Sequence, residues 1–238
     1  MNIDKLTCCC ISDTHGAHNY IDFSNYQDCD TLIFAGDWSR NNLNAKEEIK
    51  YFFNWLNSLD FKHKIIIAGN HETFVEREKL KFHEILKNYP DIIYLEDNSV
   101  VINNIKIYGS PYSNEFFNWA FMEYEFKLND IWNKIEEDTN ILITHGPAFL
   151  CLDKVNNNYS HTNHVGSESL SVRKKELKNL KVHISGHIHE SYGFNNDFGI
   201  LNICPCIMDV NYNPINTPIK FSIRRYKNNN KIVVKHLK

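Results

Sequence analysis

The sequence predicts an α/β fold, and two patterns support this prediction. Short apolar runs suited to buried strands recur along the chain, and each is followed by Asp, Asn or His. Between two of these runs, apolar side chains recur at helical spacing over residues 49–59, which is typical of an amphipathic helix. Residues 199–236 hold further strand-like runs without a helical pattern, so we expect only strands at the end of the chain.

The first part of the chain reads as strands alternating with helices. Strands are predicted at residues 6–11, from residue 31, and at residues 64–68. The helix between the second and third strands begins with a capping box of Asn44 and Glu47. This β-α-β order requires a right-handed crossover if the two strands are parallel neighbours. A second helix is predicted within residues 76–88. It must stop near Pro90, because proline disfavours helical backbone at the residue before it.

The second part of the chain begins with three short predicted strands, at residues 92–95, 99–102 and 105–108, with Asn103 and Asn104 forming a hairpin turn. Apolar residues at helical spacing predict a helix over residues 128–135. After a strand from residue 141 comes a loop at 146–163, whose length is typical of functional or mobile segments. A helix at 167–180 and strands at 199–204, 219–226 and 231–236 follow.

The length, net charge, apolar runs and cysteine count limit the classes of protein to which the chain can belong. The 238 residues are long enough for one large α/β domain, which we predict to span residues 1–238. The net charge of −3 gives no overall basic field, so we expect no polymeric nucleic acid as a partner. No run reaches the length of a membrane span, so we expect no membrane partner and a cytoplasmic location. The odd count of 7 cysteines predicts buried thiols and no disulfide framework.

Five strand-like runs carry the candidate functional residues at their ends. The runs lie at residues 8–15, 31–37, 65–71, 141–145 and 182–189. Parallel α/β sheets place their ligands beyond the carboxyl ends of the strands, so these ends should meet in one pocket. A single Asp after a strand is most often a turn former, and a lone His is more often structural. The hypothesis of a metal site therefore depends on all five ends together.

The residues at these ends form recognisable motifs. They are Asp13-x-His15, Gly36-Asp37, Gly69-Asn70-His71-Glu72, Thr144-His145-Gly146 and Gly186-His187-x-His189. In this order they resemble the five motifs of the calcineurin-like metallophosphoesterase superfamily. A more detailed similarity covers residues 108–112, 118–121, 141–147, 186–190 and 211–218. It resembles the metallophosphoesterase-domain-containing proteins, a group similar to class III cyclic-nucleotide phosphodiesterases.

The resemblance implies a fold and a metal centre. The fold would be two mixed β-sheets packed as a sandwich and flanked by helices. One metal would be held by Asp13, His15, Asp37 and His189, and the other by Asp37, Asn70, His145 and His187. Oxygen and imidazole ligands without a thiolate suit Mn or Fe, and also Zn, better than Mg or Ca. The carboxylate of Asp37 would lie between the two ions.

The resemblance also implies a reaction. A hydroxide between two metals would attack phosphorus in line, and His71 would stabilise phosphoryl charge or protonate the leaving group. We expect a phosphodiesterase acting on small phosphodiesters, possibly cyclic nucleotides. Alternatives are a phosphomonoesterase or protein phosphatase with the same metals, and a non-catalytic binding scaffold with the same fold. The sequence leaves the oligomeric state open.

Several other residues have roles that the sequence leaves undecided. His18, His161 and His164 fall in loops near the expected pocket, where they could hold substrate. Glu72 is expected to support a metal ligand or to start a helix, and not to act as a base. Phe117 and Trp119 are expected to pack in the core, with stacking on a nucleobase as the alternative.

Overall fold

The computed structural model describes residues 3–40, 45–156 and 163–237. The strands in chain order are β1 (Ile3–Ile11), β2 (Thr31–Ala35), β3 (His63–Ile67), β4 (Ile92–Tyr94), β5 (Asn98–Ile102), β6 (Ile105–Ser110), β7 (Ser113–Asn114), β8 (Met122–Glu123), β9 (Ile141–Thr144), β10 (Val182–Ser185), β11 (Gly193–Asp197), β12 (Ile200–Cys204), β13 (Ile219–Tyr226) and β14 (Lys231–Leu237). The helices are α1 (Ala45–Ser58), α2 (Thr73–Arg77), α3 (Lys79–Leu86), α4 (Glu125–Trp132) and α5 (Glu168–Glu176).

Two six-stranded sheets form the centre of the protein. The first has the order β14-β13-β1-β2-β3-β4, and the second has the order β11-β12-β10-β9-β6-β5. In the first sheet β1 to β4 run parallel, while β13 and β14 are antiparallel to their neighbours. In the second sheet β6, β9, β10 and β12 run parallel, and the edge strands β5 and β11 are antiparallel. Both sheets are therefore mixed.

Three hydrophobic clusters show how the layers pack. The cluster between the sheets joins residues such as Ile33 and Ile65 of the first sheet to Ile143 and Ile184 of the second. Helices α1 and α3 cover the outer face of the first sheet. Helices α4 and α5 cover the outer face of the second. The predicted sandwich of two mixed sheets flanked by helices is confirmed.

Strand β1 shows why alternation matters in this core. Cys8 and Cys10 point into the cluster between the sheets, whereas Cys9 and Ile11 point toward the helices on the outer face. All seven cysteines are free and buried. The prediction of buried thiols is confirmed.

The structure also departs from the predicted elements. The helix predicted within residues 76–88 is divided into α2 and α3 by Glu78, whose φ of −121° is not helical. The helix predicted to reach residue 180 ends at Glu176, and β11 was not predicted. The hairpin at Asn103 and Asn104 is present, with both residues at positive φ.

Parts of two predicted features lie outside the described residues, namely the cap at Asn44 and residues 157–162 of the 146–163 loop. No helix in the described part of the chain is long and apolar enough to cross a membrane.

Candidate metal centre

The carboxyl ends of five parallel strands meet at one edge of the sandwich. Asp13 and His15 follow β1, Asp37 follows β2, Asn70 follows β3, His145 follows β9, and His187 and His189 follow β10. Their side chains form overlapping clusters of candidate ligand atoms, which are Asp13–His15–His189, His15–Asp37–His71 and Asp37–His145–His187. The structure therefore brings the predicted ligands from both sheets together.

Asp37 lies at the centre of these clusters. Its Oδ2 atom is 3.3 Å from His145 Nε2 on one side and 3.9 Å from His15 Nε2 on the other. Asn70 Oδ1 lies 2.8 Å from His145 Nε2. On the other side, Asp13 Oδ1 lies 3.6 Å from His189 Nε2. One carboxylate oxygen thus faces both predicted sites, which is the arrangement expected of a shared ligand.

Four imidazole rings of the site are oriented in the same way. Each directs Nδ1 at a backbone carbonyl oxygen: His15 at Ser39 (3.3 Å), His71 at Arg40 (3.0 Å), His145 at Ala35 (3.0 Å) and His189 at Asp209 (2.9 Å). A carbonyl can only accept, so Nδ1 carries the hydrogen and Nε2 of the neutral ring offers its lone pair to the cluster. Metal-binding histidines are commonly held in this way by a second hydrogen bond.

The resulting contacts fit bound cations. Nε2 of His15 and Nε2 of His189 lie 3.3 Å apart, so both nitrogens can reach one cation beside them. Nitrogen and oxygen ligands without a thiolate suit Mn, Fe or Zn. The side chains present therefore fit a dinuclear metal centre.

The backbone is strained at the same positions. Asp13, His15, Asp37 and His187 adopt positive φ values of 52°, 42°, 56° and 71°. Such conformations cost about 1–3 kcal/mol each and persist only where the surrounding structure enforces them. Gly186 has a steric role, since a Cβ there would lie 2.5 Å from Asp13 Oδ2. The strand ends are shaped around the ligands.

The buried charges of the cluster shift the pKa values of its side chains. Burial raises the pKa of Asp37, but the neighbouring imidazoles, with His145 foremost, outweigh burial and hold this pKa well below its usual value. Burial lowers the pKa of His145, yet attraction to Asp37 prevails and raises it to about 10. Burial lowers the pKa of both His15 and His187 to about 4. Asp37 remains ionised, and two of the surrounding rings remain neutral.

Glu72 supports the loops that carry the ligands. Its buried carboxylate accepts hydrogen bonds from the backbone N–H groups of Asp37 (3.0 Å), Ser39 (2.9 Å) and Gly69 (2.6 Å). Burial and the nearby charge of Asp37 raise the pKa of Glu72 to about 7. Glu72 also immediately precedes α2. Both expected roles, supporting a ligand and starting a helix, agree with this position.

A cavity of about 470 Å³ opens onto the cluster. The predicted site residues that line it are His15, Asp37, Asn70, His71, His187 and His189. Nε2 of His71 lies 3.9 Å from Asp37 Oδ2, and the His71 side chain is 15% exposed. His71 is therefore placed where it can meet a substrate bound at the cluster.

Sequence reasoning missed other residues at the site. The ring of Tyr212 lines the cavity and lies 4.9 Å from His15 and 5.2 Å from His189. Tyr212 belongs to the 211–218 run that carried part of the family resemblance, which was the available signal. The thiol of Cys206 donates to Asp13 Oδ2 at 3.0 Å. The sequence offered no sign of this contact.

The structure does not place His18 or His164, whose roles the sequence left undecided, on the cavity wall. His18 is buried against Tyr51, Phe52 and Trp55 and does not line the cavity. His164 contacts Asp153 at 2.6 Å and is also absent from the cavity wall. His161 lies outside the described residues.

The expectation that Phe117 and Trp119 pack in the core is wrong. Their side chains are 52% and 41% exposed. Trp119 lines the cavity, and Phe117 contacts Trp119 at 5.3 Å between ring centroids.

Comparison with known proteins agrees with this geometry. The calcineurin-like phosphoesterase family model matches residues 6–191. Metallophosphoesterase domain-containing protein 1 of Homo sapiens is 34% identical over 240 residues, covering 92% of this chain and 71% of that protein.

Solved structures share the fold at low sequence identity. The protein TT1561 of Thermus thermophilus has a TM-score of 0.60 at 11% identity and covers 98% of this chain and 99% of that chain. A dimetal phosphatase from Danio rerio has a TM-score of 0.57 at 12% identity and covers 97% of this chain and 95% of that chain. On the match to the family model and to the human relative, the chain belongs to the calcineurin-like phosphoesterase family, a family of dinuclear metal-dependent phosphoester hydrolases.

Proposed function

We propose that the protein is a phosphodiesterase that hydrolyses small phosphodiesters, with cyclic nucleotides among the candidate substrates. The observation that carries this proposal is the Asp37 carboxylate, which faces two ligand clusters at the floor of an open cavity. Asp13, His15 and His189 would complete one site, and Asn70, His145 and His187 the other. Mn and Fe are the proposed metals, with Zn as the alternative.

When bound, two metals generate hydroxide from water near neutral pH and stabilise charge on the phosphoryl group. The protein then has to place the phosphorus atom above the cluster and manage the proton of the leaving group. Backbone carbonyl groups hold the rings of His15, His145 and His189 so that each Nε2 faces the cluster. Such preorganisation avoids the cost of reorienting the site during the reaction.

His71 is the proposed proton donor to the leaving group. Its Nδ1–H is directed at the Arg40 carbonyl, so Nε2 faces the cavity beside Asp37. In the protonated ring, Nε2–H can be given to the departing alkoxide or can stabilise a phosphoryl oxygen.

Diesters are favoured over monoesters by the shape and charge of the cavity. A volume of about 470 Å³ exceeds what a phosphoryl group needs and leaves room for organic groups on both sides. Among the described lining residues none is Lys or Arg, so neither is available there to pair with the second negative charge of a monoester dianion. The alternatives of a phosphomonoesterase or protein phosphatase remain testable with the same protein.

The decisive experiment compares esters at equal metal loading. The purified protein is loaded with Mn²⁺ and assayed on bis(p-nitrophenyl) phosphate, p-nitrophenyl phosphate, and 2′,3′- and 3′,5′-cyclic nucleotides. We expect kcat/KM for the aryl diester to exceed that for the aryl monoester. Faster hydrolysis of the monoester would favour the monoesterase alternative, and no hydrolysis of any ester by the metal-loaded protein would favour a binding scaffold.

Asp37→Ala tests the shared ligand. Because Asp37 faces both clusters, its loss should abolish hydrolysis and reduce the content of both ions, measured by atomic emission. Asp130→Ala is the matched control, since Asp130 is exposed on α4 and lies outside the clusters. An unchanged metal content in Asp37→Ala would refute the shared position.

A further inference from the structure

A loop of exposed aromatic residues stands on a fixed base beside the cluster. The aromatic loop comprises residues 115–121. At its base, Ala120 and Phe121 are buried, the Ala120 N–H donates to the Asn70 carbonyl (3.2 Å), and the Phe121 N–H donates to the Glu76 carboxylate (2.8 Å). The loop is thus tied to the backbone of a predicted metal ligand, so its position is set relative to the cluster.

The tip of the aromatic loop presents rings to the cavity. Phe116, Phe117 and Trp119 are 66%, 52% and 41% exposed, and their rings touch in sequence at 4.4 and 5.3 Å. Phe116 and Trp119 line the cavity, and Trp119 lies 4.9 Å from His71. Large apolar side chains exposed together on a fixed base are typical of a binding surface. The rings offer a flat face next to His71, the proposed proton donor to the leaving group.

The charges around the same cavity are negative. Glu115 and Glu190 line it, and none of its described lining residues is Lys or Arg. The nearby Arg40 donates its Nε–H to the His15 carbonyl and is not part of the cavity wall. The chain segments at 41–44 and 157–162 contain no Lys or Arg in their sequence. The described cavity wall therefore offers no Lys or Arg to a second anionic group.

We propose that the substrate is a phosphodiester whose second ester group is flat and carries no negative charge of its own. This group stacks on the aromatic loop while the phosphoryl group lies over the cluster. Diesters that bear a further phosphate or carboxylate are disfavoured, because that charge would meet Glu115 or Glu190. The inference rests on the proposed phosphodiesterase activity and specifies its substrate class.

The test uses three p-nitrophenyl phosphodiesters with the same leaving group. Their second groups are methyl, phenyl and 4-carboxyphenyl, so the pairs differ only in a flat ring or in one charge. We expect kcat/KM for the phenyl ester to exceed that for the methyl ester by about tenfold, within the range of aromatic stacking on a base. The 4-carboxyphenyl ester should be several-fold poorer than the phenyl ester.

Variants assign these preferences to residues. Trp119→Ala should reduce the phenyl-to-methyl ratio toward one, while Trp119→Phe should retain most of it. Phe126→Ala is the matched control, because Phe126 is 69% exposed and does not line the cavity. The double variant Glu115→Gln and Glu190→Gln should bring the 4-carboxyphenyl ester closer to the phenyl ester. Glu137→Gln, exposed elsewhere, should leave that ratio unchanged.

The outcomes separate the inference from the proposed function. Equal kcat/KM for the three diesters would overturn the inference while leaving phosphodiesterase activity intact. A uniform loss for methyl and phenyl esters in Trp119→Ala would mean that Trp119 acts through His71, and would also overturn it. Hydrolysis of p-nitrophenyl phosphate without hydrolysis of any diester would overturn the proposed function itself.

Discussion

His71 lies where two different roles meet. Its Nε2 atom is close enough to Asp37 and His15 to belong to a cluster of candidate ligand atoms. The family resemblance, in contrast, implies that His71 faces the substrate and is not a metal ligand. Its ring also contacts Trp119, on the wall of the cavity. A proton donor and a metal ligand at this position differ in what their removal does to the ions.

His71→Ala should separate these roles. If His71 moves a proton or stabilises charge, turnover should fall by roughly 10²–10⁴-fold while about two ions remain per chain. Atomic emission measures the ions, and hydrolysis of bis(p-nitrophenyl) phosphate measures turnover. Loss of one ion per chain would assign His71 to the metal ligands.

His18 gives a prediction about pH that does not involve the site. Burial lowers the pKa of His18 to about 4, and neither ring nitrogen has a hydrogen-bond partner among the described residues. In the unfolded chain His18 takes up a proton near pH 6.5, whereas in the folded protein it does so only near pH 4. Stability is therefore lost as pH falls through this window, by up to about 3 kcal/mol.

His18→Phe should remove this loss, because Phe suits the aromatic surroundings and takes up no proton. Urea unfolding of the metal-free protein at pH 7 and pH 4.5 measures the effect. The variant should gain more stability over the wild type at pH 4.5 than at pH 7. His83→Phe, on the exposed surface of α3, is the control. An equal gain at both pH values would contradict the assignment.

At the same scale, sequence reasoning identified ligand types but not side-chain surroundings. Asp13, Asp37 and His145 could be singled out because each directly follows an apolar strand. The burial of His18 could not be foreseen, since Tyr51 and Trp55 reach it from a helix far along the chain. The exposure of Trp119 was not predicted either, because the local sequence does not show which side chains of a loop face solvent.

Elements meet at Glu72, which joins the ends of β2 and β3. Its carboxylate accepts three backbone N–H groups and the Ser39 hydroxyl. In Glu72→Gln, one oxygen remains, and the amide N–H₂ faces backbone donors. We expect a loss of about 2–3 kcal/mol in unfolding free energy at pH 8, together with weaker metal binding, because hydrogen bonds to a buried charge are lost.

Denaturant unfolding and a Mn²⁺ titration measure the two effects of Glu72→Gln. Glu84→Gln on the exposed surface of α3 changes the same chemical group away from the site and should change neither. If Glu72→Gln unfolds like the wild type and binds Mn²⁺ equally well, the carboxylate does not organise the strand ends.

Strands and helices were predicted correctly where the local sequence pattern is sufficient to define them. Strands β2 (Thr-Leu-Ile-Phe-Ala) and β9 (Ile-Leu-Ile-Thr) are mostly apolar, so both their type and their ends are visible in sequence. Strand β11 has the sequence Gly-Phe-Asn-Asn-Asp and forms by pairing with β12, a tertiary effect that overrides weak strand propensity. The break at Glu78 involves neither Gly nor Pro, so no local signal marked it.

Across the whole molecule, the candidate metal ligands come from both sheets. Asp13, Asp37 and Asn70 come from the first sheet, whereas His145 and His187 come from the second. The sandwich required the family resemblance, because strand patterns alone do not specify which sheet a strand joins. The convergence of ligands was foreseeable from the strand ends, since parallel strands place them on one edge.

Removing the metals should therefore destabilise the whole fold. Ligands that bind only the folded state stabilise it by about 2.7 kcal/mol at a hundredfold excess over Kd. For a chain of this size that corresponds to roughly 5–10 °C in Tm. We expect EDTA to lower Tm by this amount, measured by calorimetry, and Mn²⁺ to restore it.

Asp37→Ala provides the matched comparison for chelation. Without the shared carboxylate the ions bind weakly, so EDTA should shift the Tm of this variant little. Two buried carboxylates, Asp13 and Asp37, also lose their countercharge when the ions leave the wild type, which adds to its destabilisation. If the wild type loses both ions and its Tm stays constant, the metals do not couple the two sheets, and the sandwich is held by its apolar core alone.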